Sequence, residues 1–70
     1  MNTVRLREGC EALQKALDPS LSFGITRIQR VTRLGYVEAN ELARYGLDNG
    51  YLRTCQNSPQ RFLIIAGGPA

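Results

Sequence analysis

Residues 26–50 read TRIQRVTRLGYVEANELARYGLDNG, and the fold turns on how this stretch divides. Thr26-Arg27-Ile28-Gln29 has capping-box spacing, in which a Thr hydroxyl accepts from the amide three residues on and the Gln reaches back. A helix is therefore expected from Thr26, carrying Ile28 and Val31 inward. It should close near Leu34, with Gly35 supplying a left-handed C-terminal residue. Ala39, Leu42, Ala43, Gly46 and Leu47 then recur at i, i+3, i+4, i+7 and i+8, one face of a second helix from Tyr36 to Asn49. Asn49-Gly50 supplies its stop. Two short helices joined at Gly35 have the form of a helix-turn-helix.

Outward from this centre, Leu6, Cys10, Leu13 and Leu17 share one helical face, predicting a first helix over Thr3–Leu17 with Thr3 as N-cap. Arg7/Glu11 and Glu11/Lys15 are i,i+4 pairs on its solvated side. Asp18-Pro19-Ser20 stops that helix, because proline disfavours helical geometry in the residue before it. Leu21-Ser22-Phe23 alternates like a very short strand, and Gly24 lets the chain turn. After the helix pair, Tyr51–Cys55 and Arg61–Ile65 are strand-rich and flank the turn-forming Gln56-Asn57-Ser58-Pro59, which predicts a β-hairpin. Helix, short strand, helix-turn-helix and hairpin is the order of a small α+β winged-helix domain. It is expected to occupy residues 1–66, with 67–70 as a flexible tail.

Seventy residues, 43% of them apolar and 21% charged, suit one small globular domain with a thin core. With no His, the commonest general base and metal ligand is missing. Cys10 and Cys55 lack the companions a zinc site needs and read as ordinary thiols. No glycine-rich phosphate loop and no nucleophile with a partnering base is found, and no helix follows Gly67-Gly68. No catalytic residue, metal or cofactor is expected. No apolar run is long enough to span a bilayer and no signal segment opens the chain, so a cytoplasmic, non-membrane protein is expected.

Charge separates along the sequence. The net charge is +3, and every basic residue except Lys15 is Arg. The first helix and its flank are neutral. Arg27, Arg30 and Arg33 on the second helix with Arg53 and Arg61 on the hairpin contribute +5, whereas Glu38, Glu41, Arg44 and Asp48 leave the third helix at −2. Arg27, Arg30 and Arg33 lie opposite Ile28 and Val31, and Arg27 stands in a first turn where a cation opposes the helix dipole. Guanidinium groups grip phosphate in a planar, two-pronged way, so this stripe reads either as a solvated face or as a polyanion-binding one.

With the elements in place, Ile25-Thr26-Arg27-Ile28-Gln29-Arg30, then Leu34-Gly35-Tyr36, Ala39 and Leu42, resembles the gamma domain of FtsK-type bacterial DNA translocases. That family commonly runs I-S-x-x-Q-R and then I-G-Y-N-R-A-A-R. The resemblance covers about residues 21–65 and is carried by Gln29, Arg30, Gly35, Tyr36, Ala39 and Leu42. It implies a winged helix and, in the family, reading of a short G-rich polarity sequence by Asn and Arg after the G-Y pair. Here Val37, Glu38, Asn40 and Glu41 stand at the positions of that Asn, the first Arg, an Ala and the second Arg. Ionised Glu can only accept hydrogen bonds and repels phosphate, so that specificity is not expected to carry over. The chain opens on Met and holds no motor domain, so the module is expected to stand detached from such a machine.

Two functions follow as expectations. The first is a non-enzymatic regulator binding double-stranded DNA, with Arg27, Arg30, Arg33, Arg53 and Arg61 on phosphates and Tyr36, Asn40 and Arg44 nearest the bases. The alternative is an inhibitor of phage or mobile-element origin, of anti-CRISPR or anti-repressor type, that binds a larger protein of a nucleic-acid-processing complex. Val37, Glu38, Glu41, Asp48, Leu63 and Ile65 would then form its interface. The run Phe62–Ile65 is apolar on both strand faces, which reads as extra core or a strand end covered by the first helix, or else as a side that meets a second copy, in a homodimer, or another protein.

Overall fold

The computed structural model describes residues 2–65, a small α+β arrangement of three helices and one antiparallel hairpin. The expected tail at 67–70 lies outside the described residues. Helix α1 spans Thr3–Ala16, and Asn2 caps it in place of the expected Thr3. Asn2 is extended and its Oδ1 accepts from the Arg5 amide at 2.9 Å, which leaves Thr3 as the first helical residue. Cys10 and Leu13 are buried on the inner face, with Leu6 and Leu17 packed beside them. On the outer face Arg7 Nε lies 3.8 Å from Glu11 Oε1.

After α1, Asp18 Oδ1 accepts from both the amide and the hydroxyl of Ser20, at 2.9 and 2.8 Å. The Leu21 amide donates back to the Asp18 carbonyl at 3.1 Å, so of the expected Leu21–Phe23 strand only Phe23 pairs, with Phe62 through two reciprocal backbone bonds of 2.9 and 2.7 Å. Their rings approach to 5.9 Å between centroids.

This pairing shifts the start of the next helix. Helix α2 spans Ile25–Thr32 with Gly24 as its extended N-cap, so Thr26 sits inside the first turn and the expected capping box does not form. Phe23 is held in extended pairing and Ile25 turns against the core, leaving Gly24 as the residue where strand passes into helix.

The turn to α3 also differs from expectation. The left-handed residue is Arg33, at φ 60° and ψ 27°, and Gly35 is the extended N-cap of the following helix at φ −71°. Leu34 between them packs against the core, so α2 must close earlier to turn that side chain inward.

Helix α3 spans Tyr36–Asn49 and buries Ala39, Leu42, Ala43 and Gly46. Leu47, expected on the same face, is instead exposed at its edge. A Cβ on Gly46 would lie 2.8 Å from Leu52, so Leu52 occupies the middle of the α3 face where a larger residue would have stood. Gly50, at φ 83°, ends the helix in the left-handed region that glycine enters without strain. Tyr51 then stacks on Tyr45 at 6.1 Å.

Strands β1 (Leu52–Cys55) and β2 (Ser58–Ile64) close the fold. The turn is narrower than expected, since only Gln56-Asn57 lies between the strands and Ser58-Pro59 belongs to β2. The register jumps from Thr54↔Phe62 to Cys55↔Ser58, leaving Pro59, Gln60 and Arg61 outside the pairing. Proline has no amide hydrogen for the ladder, and a bulge accommodates it.

The Phe62–Ile65 run is absorbed largely inward. Ile64 is buried, Leu63 and Ile65 are half-buried, and the Ile65 carbonyl accepts from Gln14 on α1 at 3.3 Å. Cys10 and Cys55 are both free thiols.

Candidate nucleic-acid interface

The bulge that removes Arg61 from the ladder turns it toward the linker before α2. Its Nε donates to Ser22 Oγ at 3.0 Å and its terminal nitrogen to the Ser22 carbonyl at 2.8 Å. The guanidinium is thereby held in place, with further N–H groups available to an acceptor. Arg27 and Arg30, one helical turn apart on the exposed side of α2, line the same depression as Arg61. The groove has a volume of about 540 Å³, and Leu17, Ser22 and Phe23 form part of its floor and wall.

One acid shares this basic groove. Asp18 stands at its rim, and the amide and then the hydroxyl of Ser20 hold its carboxyl below the usual range. It therefore stays anionic and offsets part of the arginine field.

A second groove, of about 800 Å³, opens between the N-terminal ends of α2 and α3 and the bulged part of β2. Tyr36 and Asn40 line one side, Pro59, Gln60 and Phe62 the other. Gly24, Thr26 and Arg61 line both grooves, so the two adjoin. The Asn40 amide donates to the Tyr36 carbonyl at 2.9 Å, which fixes the side chain and leaves its Oδ1 as an acceptor.

The fold brings together Arg27, Arg30, Arg61, Tyr36 and Asn40 of the residues expected from sequence. Arg33, Arg44 and Arg53 are exposed but lie outside these two grooves. Val37, Glu41 and Asp48 are exposed on α3, whereas Glu38 lines a separate depression with Arg5, Glu8 and Val31. Sequence reasoning missed Asp18, Ser22, Thr26 and Gln60 as groove residues. The Asp18-Pro19-Ser20 turn was a signal for a fixed carboxylate, but the Ser22–Arg61 contact, 39 positions apart, had none.

No family model matches the chain, and neither curated proteins nor solved structures give a match. Among the described residues, no helix is long and apolar enough to cross a membrane, and no cluster of three metal-ligating side chains occurs.

Proposed function

We propose that the chain is a non-enzymatic winged-helix module that binds DNA by its phosphate backbone. The observation carrying this reading is the convergence of Arg27, Arg30 and Arg61, from two elements distant in sequence, on one open groove. Guanidinium groups so placed can each engage phosphate oxygens in a forked geometry. In this reading α2 and the hairpin hold the backbone, and Tyr36 and Asn40 stand nearest the bases. The resemblance to the FtsK-type gamma domain supports the scaffold but not its sequence readout, because Val37, Glu38 and Glu41 replace the side chains that would read guanine.

The test is a titration of fluorescent DNA, a duplex with a single-stranded extension, at several salt concentrations. Neutralising three phosphates predicts a slope of log affinity against log salt between about −2 and −3. Arg30→Ala should weaken binding uniformly across sequences and flatten that slope by about one contact. Absence of binding at low salt would sink the reading. A protein-binding module would then take its place, favoured by Tyr36 and Val37, which are 62% and 69% exposed beside the acids of α3.

A further inference from the structure

Five aromatic side chains occur in the sequence, and four of them form two pairs. Phe23 pairs with Phe62 beside the β2 bulge, and Tyr45 stacks on Tyr51 between α3 and β1. Tyr36 is the fifth. It stands at the first position of α3, 62% exposed, on the wall of the groove that adjoins the arginine-lined one. An aromatic face beside a basic track is the pairing of features that holds single-stranded nucleic acid, with bases stacking on the ring while cations follow the backbone.

The charge of α3 points the same way. Glu41 and Asp48 are exposed on the helix that a major-groove docking would push between two phosphate strands. Carboxylates there meet a duplex with like charge on both sides, whereas one strand lying across the adjoining grooves meets Arg27, Arg30, Arg61 and Tyr36. A base in a duplex keeps both its faces against its neighbours and has none to give to Tyr36. An unpaired base can stack there and present its edge to Asn40, whose Oδ1 is an available acceptor.

We propose, resting on the nucleic-acid reading above, that the strand held by these grooves is unpaired, and that Tyr36 is the platform on which one of its bases stacks. The test uses the full chain with two labelled probes, a thymidine oligonucleotide of about 15 nucleotides and a blunt mixed-sequence duplex of equal length. Wild type, Tyr36→Phe and Tyr36→Ala are compared at one low salt concentration, with circular dichroism confirming that each variant folds.

The single strand should bind wild type about tenfold or more tightly than the duplex does. Tyr36→Ala should lose about tenfold on the single strand, while Tyr36→Phe keeps the stacking face and stays within about twofold. Tyrosine fluorescence should be quenched by the oligonucleotide in wild type, and that quenching should vanish in Tyr36→Phe even as affinity persists. Equal or tighter binding of the duplex, or wild-type affinity in Tyr36→Ala, overturns the proposal and leaves the arginine groove standing. Absence of binding to both probes overturns both readings.

Discussion

Gly46→Ala should cost the protein stability although alanine is the better helix former. A Cβ at this position would lie 2.8 Å from both Cγ and Cδ1 of Leu52 and 3.3 Å from Cys10 Sγ. Leu52 is 2% exposed and Cys10 fully buried, so neither can yield into solvent. Because Cγ is the branch point of the leucine, turning its end methyls does not relieve the contact, and the whole side chain or β1 itself must move. Overpacking of this kind costs about 1–3 kcal/mol, and contact with two elements at once argues for the upper half of that range. The gain from replacing a helical glycine by alanine is about 1 kcal/mol. The net loss is then about 1–2 kcal/mol, a fall in Tm of roughly 5–15 °C for a domain of this size.

Gly9→Ala is the internal control. Its Cβ would meet Leu42 chiefly at the end methyls, 2.7 and 3.1 Å away, with Cγ at 3.5 Å. Those methyls can shift by torsion, so this variant should be at least about 1 kcal/mol more stable than Gly46→Ala. Thermal and urea melts followed by helical circular dichroism measure both. A Gly46→Ala protein as stable as wild type, or a Gly9→Ala protein equally damaged, would refute the reasoning that Leu52 on Gly46 is the tight contact.

Arg33→Gly should raise stability by about 0.5–1 kcal/mol, since relief of the left-handed strain exceeds the added freedom of the unfolded chain; a lower Tm would show that the arginine side chain contributes more than its backbone costs. Burial, and then the charge of Glu11, push the Cys10 thiol up to about 12 from an ordinary 9.0. The unfolded chain therefore releases this proton first, and stability should decline as pH rises above about 9, by at most ~1.4 kcal/mol per unit. Melts between pH 8 and 10 should show a shallower decline in Cys10→Ala, and identical slopes would count against the assignment. Asp18→Asn keeps an acceptor for Ser20 but removes the negative charge from the arginine groove, so low-salt DNA affinity should rise about two- to threefold by fluorescence anisotropy. Unchanged affinity would place the bound strand away from this rim.

The helices were legible because their apolar spacing is strict. Cys10 with Leu13, and Ala39 with Leu42 and Ala43, are buried as their period requires. The boundaries were less so, because they answer to contacts far away in the chain. Thr26 has the right neighbours for a cap, but the Phe23–Phe62 bridge brings the helix start forward to Ile25. Gly35 is the obvious left-handed residue, yet the inward turn of Leu34 moves that role to Arg33. The basic side chains of the groove could be named from charge alone, with Arg27 betrayed by its place against the helix dipole. Their convergence could not, since Arg61 reaches the groove through a bulge and a tie to Ser22 that no local pattern encodes.

The bulged strand has one more effect, on how copies of the chain meet. A two-stranded sheet ordinarily offers its outer edges as templates on which another extended chain can add itself, the first step toward aggregation. On β2 the amide and carbonyl of Phe62 are already taken by Phe23. Just before it, Pro59 has no hydrogen to donate, and the out-of-register Gln60 and Arg61 break the flat row that an incoming strand would need. A chain this apolar along 62–65 thus carries its most adhesive segment in a strand whose outer edge is poorly shaped to recruit another.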